Sequence, residues 1–209
     1  LFRSVPDRCN YKTGECSMSM NILICGVGGQ GTVLAAKVVS QAALSRKEKV
    51  LSAETIGMAQ RGGSVVSHVR IGSGVYSPLI SCGQADVIIA FEATEAVRNI
   101  RFLKKNGTVI VNSKIVAPVT ASLGAKTFET SAMVEYLKST GANVICVDTD
   151  EACKKLGSSK PVNMILLGAA CSAGIFCAQE IKDAVKVLVK PAFHEINLRA
   201  IDYGNLTLV

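Results

Sequence analysis

Two glycine-rich stretches carry the residues best suited to chemistry. The first reads Gly26-Val27-Gly28-Gly29-Gln30-Gly31-Thr32, which fits G-x-G-x-x-G, and it follows the apolar run Ile22, Leu23, Ile24, Cys25. Glycines there let the backbone turn sharply and let an anion come close. A helix starting at such a turn aims its unpaired N–H groups and the positive end of its dipole at that anion. Gly28, Gly29, Gln30, Gly31 and Thr32 are therefore candidate phosphate-binding residues. The same glycines also suit close packing of a helix on a strand, with no ligand at all. The second stretch, Thr55-Ile56-Gly57-Met58-Ala59-Gln60-Arg61-Gly62-Gly63, places three glycines and one arginine within nine residues. A guanidinium is a planar donor that matches phosphate or carboxylate, so Arg61, Gly62 and Gly63 join the candidates. The bland alternative is a flexible connection bearing a surface arginine.

These stretches need elements to hold them. An amphipathic pattern over residues 33–46 makes the first a strand–turn–helix. Residues 49–54 read as a second strand closed by Glu54, where a dinucleotide-binding fold would have an acid for the ribose hydroxyls. Residues 64–71 form a strand with Ser64, Val66, His68 and Arg70 on one face and Val65, Ser67, Val69 and Ile71 on the other. No cysteine or carboxylate lies near His68 in the sequence, so it is read as a packed or hydrogen-bonded histidine. Residues 86–91 form a buried strand, 94–105 a helix with Thr94 as N-cap and Gly107 as stop, and 108–111 another strand, together a βαβ unit. Later come a helix over 131–140, a strand over 143–147, a short helix to Leu156, and a long apolar helix from Val162 to about Ala178. That last segment is broken by Asn163, Ser172 and two glycines, so it is read as buried in the domain or a subunit interface, not in lipid. Amphipathic helices over 181–189 and 191–203 follow. The expected class is α/β: a Rossmann-like, mostly parallel sheet with helices on both faces and the C-terminal helices packed on the domain. Residues 1–20 are expected to be a loosely held extension, and 21–209 a single domain.

Composition narrows the function. Nearly half of the 209 residues are hydrophobic, aromatics are few and tryptophan is absent, which suits a parallel sheet buried on both faces. The net charge of +7 is dispersed and lacks interleaved aromatics, which disfavours a nucleic-acid platform. The eight cysteines include no C-x-x-C and several sit in apolar runs, so reduced thiols in a cytoplasm are expected. Cys9 and Cys16 could conceivably hold a metal, but a terminal extension is the simpler reading. Residues 1–20 show no apolar core of a secretory leader, and no metal site or membrane segment is expected.

The glycine turn and the run from Gly57 to Arg70 (GMAQRGGSVVSHVR) resemble the gamma-type subunit or domain of 2-oxoacid:ferredoxin oxidoreductases. Tyr76-Ser77-Pro78-Leu79-Ile80, Phe91-Glu92-x-x-Glu95-Ala96, Val111-Asn112 and Pro161-Val162-Asn163 continue the likeness, which spans about residues 20–204. The resemblance implies a reaction in which a 2-oxoacid such as indolepyruvate or another aryl pyruvate, coenzyme A and oxidised ferredoxin give acyl-CoA, carbon dioxide and reduced ferredoxin. It also implies that thiamine diphosphate, magnesium and 4Fe-4S clusters sit in a larger alpha-type partner subunit, since no clustered cysteines of ferredoxin type occur here. This chain would then complete a hetero-oligomer and help bind coenzyme A through the glycine turn and Arg61, with no catalytic residue of its own. A stand-alone NAD(P)-binding module and a purely structural assembly subunit are the rival readings.

Overall fold

The computed structural model describes residues 19–56, 63–113 and 130–206. Six strands form one sheet: β1 (Met20–Val27), β2 (Val50–Ile56), β3 (Ser64–Ile71), β4 (Ala85–Ala90), β5 (Leu103–Asn112) and β6 (Asn143–Val147), in the order β2-β3-β1-β4-β5-β6. β1, β4, β5 and β6 are parallel neighbours, whereas β3 runs antiparallel to both β1 and β2. The expected α/β class is borne out, with one reversed strand.

β1 is apolar at every position from Ile22 to Cys25 because both of its faces are covered. Ile22 and Ile24 point into one core, with Val69, Ile89 and Ile110, and Leu23 and Cys25 into the other, with Ile88, Val109 and Val111. Each such side chain, fully withdrawn from water, contributes about 1.5–3 kcal/mol. The first core is roofed by α1 (Thr32–Ser45), α4 (Thr149–Leu156), α5 (Val162–Ser172), α6 (Ala178–Leu188) and α7 (His194–Leu206). The second is covered by the shorter α2 (Ala93–Asn99) and α3 (Thr130–Ser139). Arg46, just past α1, bridges Glu48 at 2.9 Å and Glu180 at 2.5 Å, which ties α1 to α6. No helix of the described residues is long and apolar enough to cross a membrane.

Several element boundaries differ from expectation for physical reasons. Glu92, in an extended conformation, is the N-cap of α2. Thr94 instead lies in the first turn and donates from Oγ1 to Glu92 Oε1 at 2.8 Å. α2 stops at Asn99, not Lys105. Leu103 already pairs with Ala85, and the register slips between there and the Val87–Thr108 pair, so 104–107 bulge from the sheet. Asn106 takes a left-handed φ of 59° in that bulge, and Gly107 packs against Leu103 rather than ending a helix. The long apolar helix is two: α5 ends at Ser172, because Gly174 adopts φ 72° and its N–H donates to Cys171 O at 2.9 Å. α6 then starts afresh at Ala178.

α5 and α7 cross with their backbones nearly in contact. A Cβ at Gly168 would lie 2.2 Å from Ile201 O, and one at Gly204 would lie 2.0 Å from Ile165 O. His68 is buried on β3, accepts from Ile80 N–H through Nδ1 at 3.2 Å, and meets Phe102 edge-on at 5.8 Å. It is a packed, hydrogen-bonded histidine, and burial holds its pKa below the usual value.

This packing can be tested at two residues. Gly168→Ala gains about 1 kcal/mol of helix propensity but must push the α5 and α7 backbones away from each other, and overpacking costs about 1–3 kcal/mol. Thermal unfolding should show a lower Tm; an equal or higher Tm would contradict the close crossing. For His68, the folded chain favours the neutral ring, so its contribution is complete above the unfolded value of about 6.5 and is lost as pH falls through the lowered folded value. Denaturant titrations of wild type and His68→Asn should diverge above pH 6.5 and converge on acidification, by at most about 1.4 kcal/mol per pH unit.

Candidate functional site

The carboxyl ends of the parallel strands meet the start of the reversed strand at one edge of the sheet. After β1 the chain crosses to α1 and β2; after β4 it crosses the other way, to α2 and β5. The crevice between β1 and β4 is thus the point where the strand order diverges, the usual place for a ligand in open α/β sheets.

Its first wall is the glycine turn. Gly31 adopts φ 82° as the N-cap of α1, a conformation that strains any other L-residue, and a Cβ there would lie 2.6 Å from Asn163 Nδ2. Gly29 has φ 100° with open space around it, and it is exposed. Gly26 is needed for close packing, because a Cβ there would lie 2.6 Å from Gln30 Oε1 and 3.1 Å from Phe91 Cβ. Gln30 folds back, and its Oε1 accepts from Val27 N–H at 2.7 Å. Gly28 N–H donates to Gly63 O at 2.8 Å. Among the described residues no side chain caps α1, and its first turn holds no acid. Thr32 is buried in that turn.

The expected site residues therefore divide. Gly28 and Gly63 are brought together, and the turn from Gly29 to Thr32 opens the helix as predicted. Gly28's amide and Gln30's carboxamide oxygen are already committed to the protein. Arg61 and Gly62 lie outside the described residues. Glu54 is exposed on the edge strand β2, and β3 separates it from β1. In a dinucleotide-binding sheet the acid-bearing strand is β1's neighbour, so two strand spacings of about 4.8 Å replace one.

The second wall was not singled out for chemistry by sequence reasoning. Glu92 and Glu95 are buried at 2% and 3% exposure, right after β4. Glu95 Oε2 accepts from Ser64 Oγ at 2.5 Å, and its Oε1 accepts from Arg98 Nη1 at 2.8 Å. Asn99 Nδ2 donates to Glu95 O at 2.9 Å. Cys25 Sγ lies 3.6 Å from the same carbonyl. Burial first, then the charges of Glu95 and Glu92, push the Cys25 thiol far above its ordinary range, so it stays protonated and unreactive. Farther along the edge, Asn112 Nδ2 donates to Phe91 O at 3.3 Å, and Thr149 Oγ1 donates to Asn112 Oδ1 at 2.9 Å. The clue in the sequence was Glu92 and Glu95 straight after a continuous apolar strand: carboxylates that close to a buried strand must be paired or capped.

A shallow depression of about 510 Å³ opens beside α4, lined by Asp150, Cys153, Lys154, Gly157, Ser158 and Ser159, and shares no residue with this edge. Among the described residues no three His, Cys, Asp or Glu side chains converge as a metal site would require.

Comparison with known proteins decides the family. The model of the pyruvate ferredoxin/flavodoxin oxidoreductase family matches residues 21–205. Over 190 residues the chain is 38% identical to the indolepyruvate oxidoreductase subunit IorB of Archaeoglobus fulgidus, covering 90% of this chain and 94% of that one. The chain belongs to the pyruvate ferredoxin/flavodoxin oxidoreductase family. It is a small subunit of the 2-oxoacid:ferredoxin oxidoreductase class, as the glycine turn and the residue 57–70 run suggested. The fold agrees. The gamma subunit of a keto/oxoacid ferredoxin oxidoreductase from Geobacter sulfurreducens superposes with a TM-score of 0.68 at 22% identity, covering 90% of this chain and 95% of that one. A 2-oxoglutarate:ferredoxin oxidoreductase from Magnetococcus marinus, solved with 2-oxoglutarate, coenzyme A and succinyl-CoA bound, superposes with a TM-score of 0.69 at 19% identity. It covers 90% of this chain and 30% of the larger one.

The Gly31–Asn163 contact joins α1 to α5, and Asn163 Nδ2 also donates to Gly31 O at 3.4 Å. Gly31→Ala in this oxidoreductase subunit should cost about 1–2 kcal/mol for the left-handed backbone alone, plus the displacement of Asn163. Asn163→Ala should cost less, about 1 kcal/mol for a neutral hydrogen bond. Equilibrium unfolding of both variants checks the ranking; a larger loss for Asn163→Ala would contradict it.

Proposed function

We propose that this chain is the cofactor-free small subunit of a thiamine diphosphate- and iron–sulfur-dependent 2-oxoacid:ferredoxin oxidoreductase acting on indolepyruvate or a related aryl pyruvate, and that it helps bind coenzyme A. The overall reaction cleaves the bond between the oxo carbon and the carboxylate, releases carbon dioxide, joins the acyl group to the coenzyme A sulfur, and passes the electrons to ferredoxin. Thiamine diphosphate with magnesium supplies the carbanion chemistry and 4Fe-4S clusters the electron path, both in a larger alpha-type partner. Residues 21–209, with Met20 already in β1, act as one domain in a cytoplasmic hetero-oligomer, and the chain alone is inactive.

The role of this chain is recognition. Coenzyme A carries a pyrophosphate and a 3′-phosphate. The amides of Gly29, Gly31 and Thr32 at the start of α1 suit such an anion, and the α1 dipole favours it. Two buried carboxylates stand across the crevice, so an anion there needs a compensating cation, and Arg61, Gly62 and Gly63 form the stretch that offers one. The observation that carries this proposal is the Gly28 N–H to Gly63 O bond of 2.8 Å, which ties the end of that arginine-bearing stretch to the turn. Coenzyme A is also a ligand bound in the M. marinus enzyme of the same fold. A stand-alone NAD(P)-binding role fits less well, because Glu54 lies two strands from the turn.

The test is Arg61→Ala in the complex reconstituted with its partner, assayed by 2-oxoacid-dependent dye reduction. A charge-assisted hydrogen bond of about 1.5–3 kcal/mol corresponds to roughly a 10- to 100-fold rise in KM for coenzyme A. KM for the 2-oxoacid should stay near wild type. An unchanged KM for coenzyme A would contradict the phosphate role and favour a purely structural subunit.

A further inference from the structure

Glu95, on the second wall of the crevice, is withdrawn from solvent and committed to other side chains. It is 3% exposed, and both of its carboxylate oxygens are used. One takes the Arg98 guanidinium, an ordinary pairing three residues along α2. The other reaches from α2 to Ser64, the first residue of β3. Ser64 opposes Val27 in the antiparallel ladder, and the carbonyl just before it, Gly63 O, takes the Gly28 N–H. The peptide between Gly63 and Ser64 is thus pinned on both sides, to the glycine turn by its carbonyl residue and to α2 by a side chain. Burying a carboxylate is costly unless it is paired and hydrogen-bonded. The Ser64 hydroxyl donates to that carboxylate and so links α2 to the start of β3.

We infer that Glu95 is a positioning residue: through Ser64 it fixes the height of the Gly63 carbonyl, and so the orientation of the Gly28-Gly29-Gln30-Gly31-Thr32 turn toward an anionic ligand. This rests on the coenzyme A role proposed above and adds the residues that aim the turn. The effect is placed on ligand binding, because both oxygens of the Glu95 carboxylate are already held by Ser64 and Arg98.

The experiment uses the reconstituted complex with Ser64→Ala, Ser64→Thr and Glu95→Gln. Ser64→Ala removes the pin and leaves the Glu95–Arg98 pair intact. It should raise KM for coenzyme A at least fivefold, with kcat and KM for the 2-oxoacid within twofold of wild type. Ser64→Thr keeps the hydroxyl and should restore KM. Glu95→Gln can still hydrogen-bond Ser64 without charge, and should fall between them. A Ser64→Ala complex with wild-type KM for coenzyme A overturns the inference, as does one whose only change is a lower Tm. Arg61→Ala separates the two levels. If it raises KM while Ser64→Ala does not, the pin fails and the coenzyme A role stands. If neither moves KM, the coenzyme A role fails and the pin with it.

Discussion

A backbone N–H at the end of a central strand donates to a carbonyl at the start of a reversed one, and the carboxyl edge is arranged around that bond. β3 runs against its neighbours, so its first residue, not its last, lies beside the end of β1. The Gly28–Gly63 hydrogen bond closes the ladder there. In an all-parallel sheet the beginning of β3 would sit at the opposite end of the strands, a full strand length away, and Gly63 could not meet Gly28. β3 also lies between β1 and β2, which leaves β2 at the sheet edge, and with it the acid that a dinucleotide site would use. This topology weakens a nicotinamide site and brings Gly63 to the glycine turn.

Charge then shapes that edge. Two carboxylates are buried on the β4 side, one of them held by Arg98 and Ser64; burial first, and then their charge, keeps the Cys25 thiol protonated. Gly28 and Gln30 have spent their strongest groups within the protein. What is left to a ligand is a short row of amides at the start of α1, open at Gly29 and backed by Asn163 through Gly31. Such an edge suits one end of an extended anionic molecule, the role proposed for it above.

Much of this was legible in the residues. The apolar run of β1, the period of two in β3 and the glycine turn each report a local constraint, and the sheet and its helix layers follow from them. The facing sets of β3 came out as read, His68 included, because one face packs under α1 and the other under Ile80 and Phe102. Boundaries failed where a residue had two competing uses. Thr94 suits an N-cap, yet Glu92 takes that place and Thr94 serves Glu92. Ile100 and Leu103 keep a helical spacing, but Leu103 pairs with Ala85 across a bulge that depends on Asn106 at positive φ. The Ser64–Glu95 pin joins residues 31 positions apart. No periodicity or motif encodes such a contact, since it exists only once β3 and α2 have both packed on β1 and β4.

The most direct test is the structure of the reconstituted complex with coenzyme A bound. A phosphate oxygen of coenzyme A is expected within about 3 Å of a backbone nitrogen in the turn from Gly29 to Thr32. Coenzyme A held wholly by the partner, with that turn facing solvent or buried against protein, would contradict it.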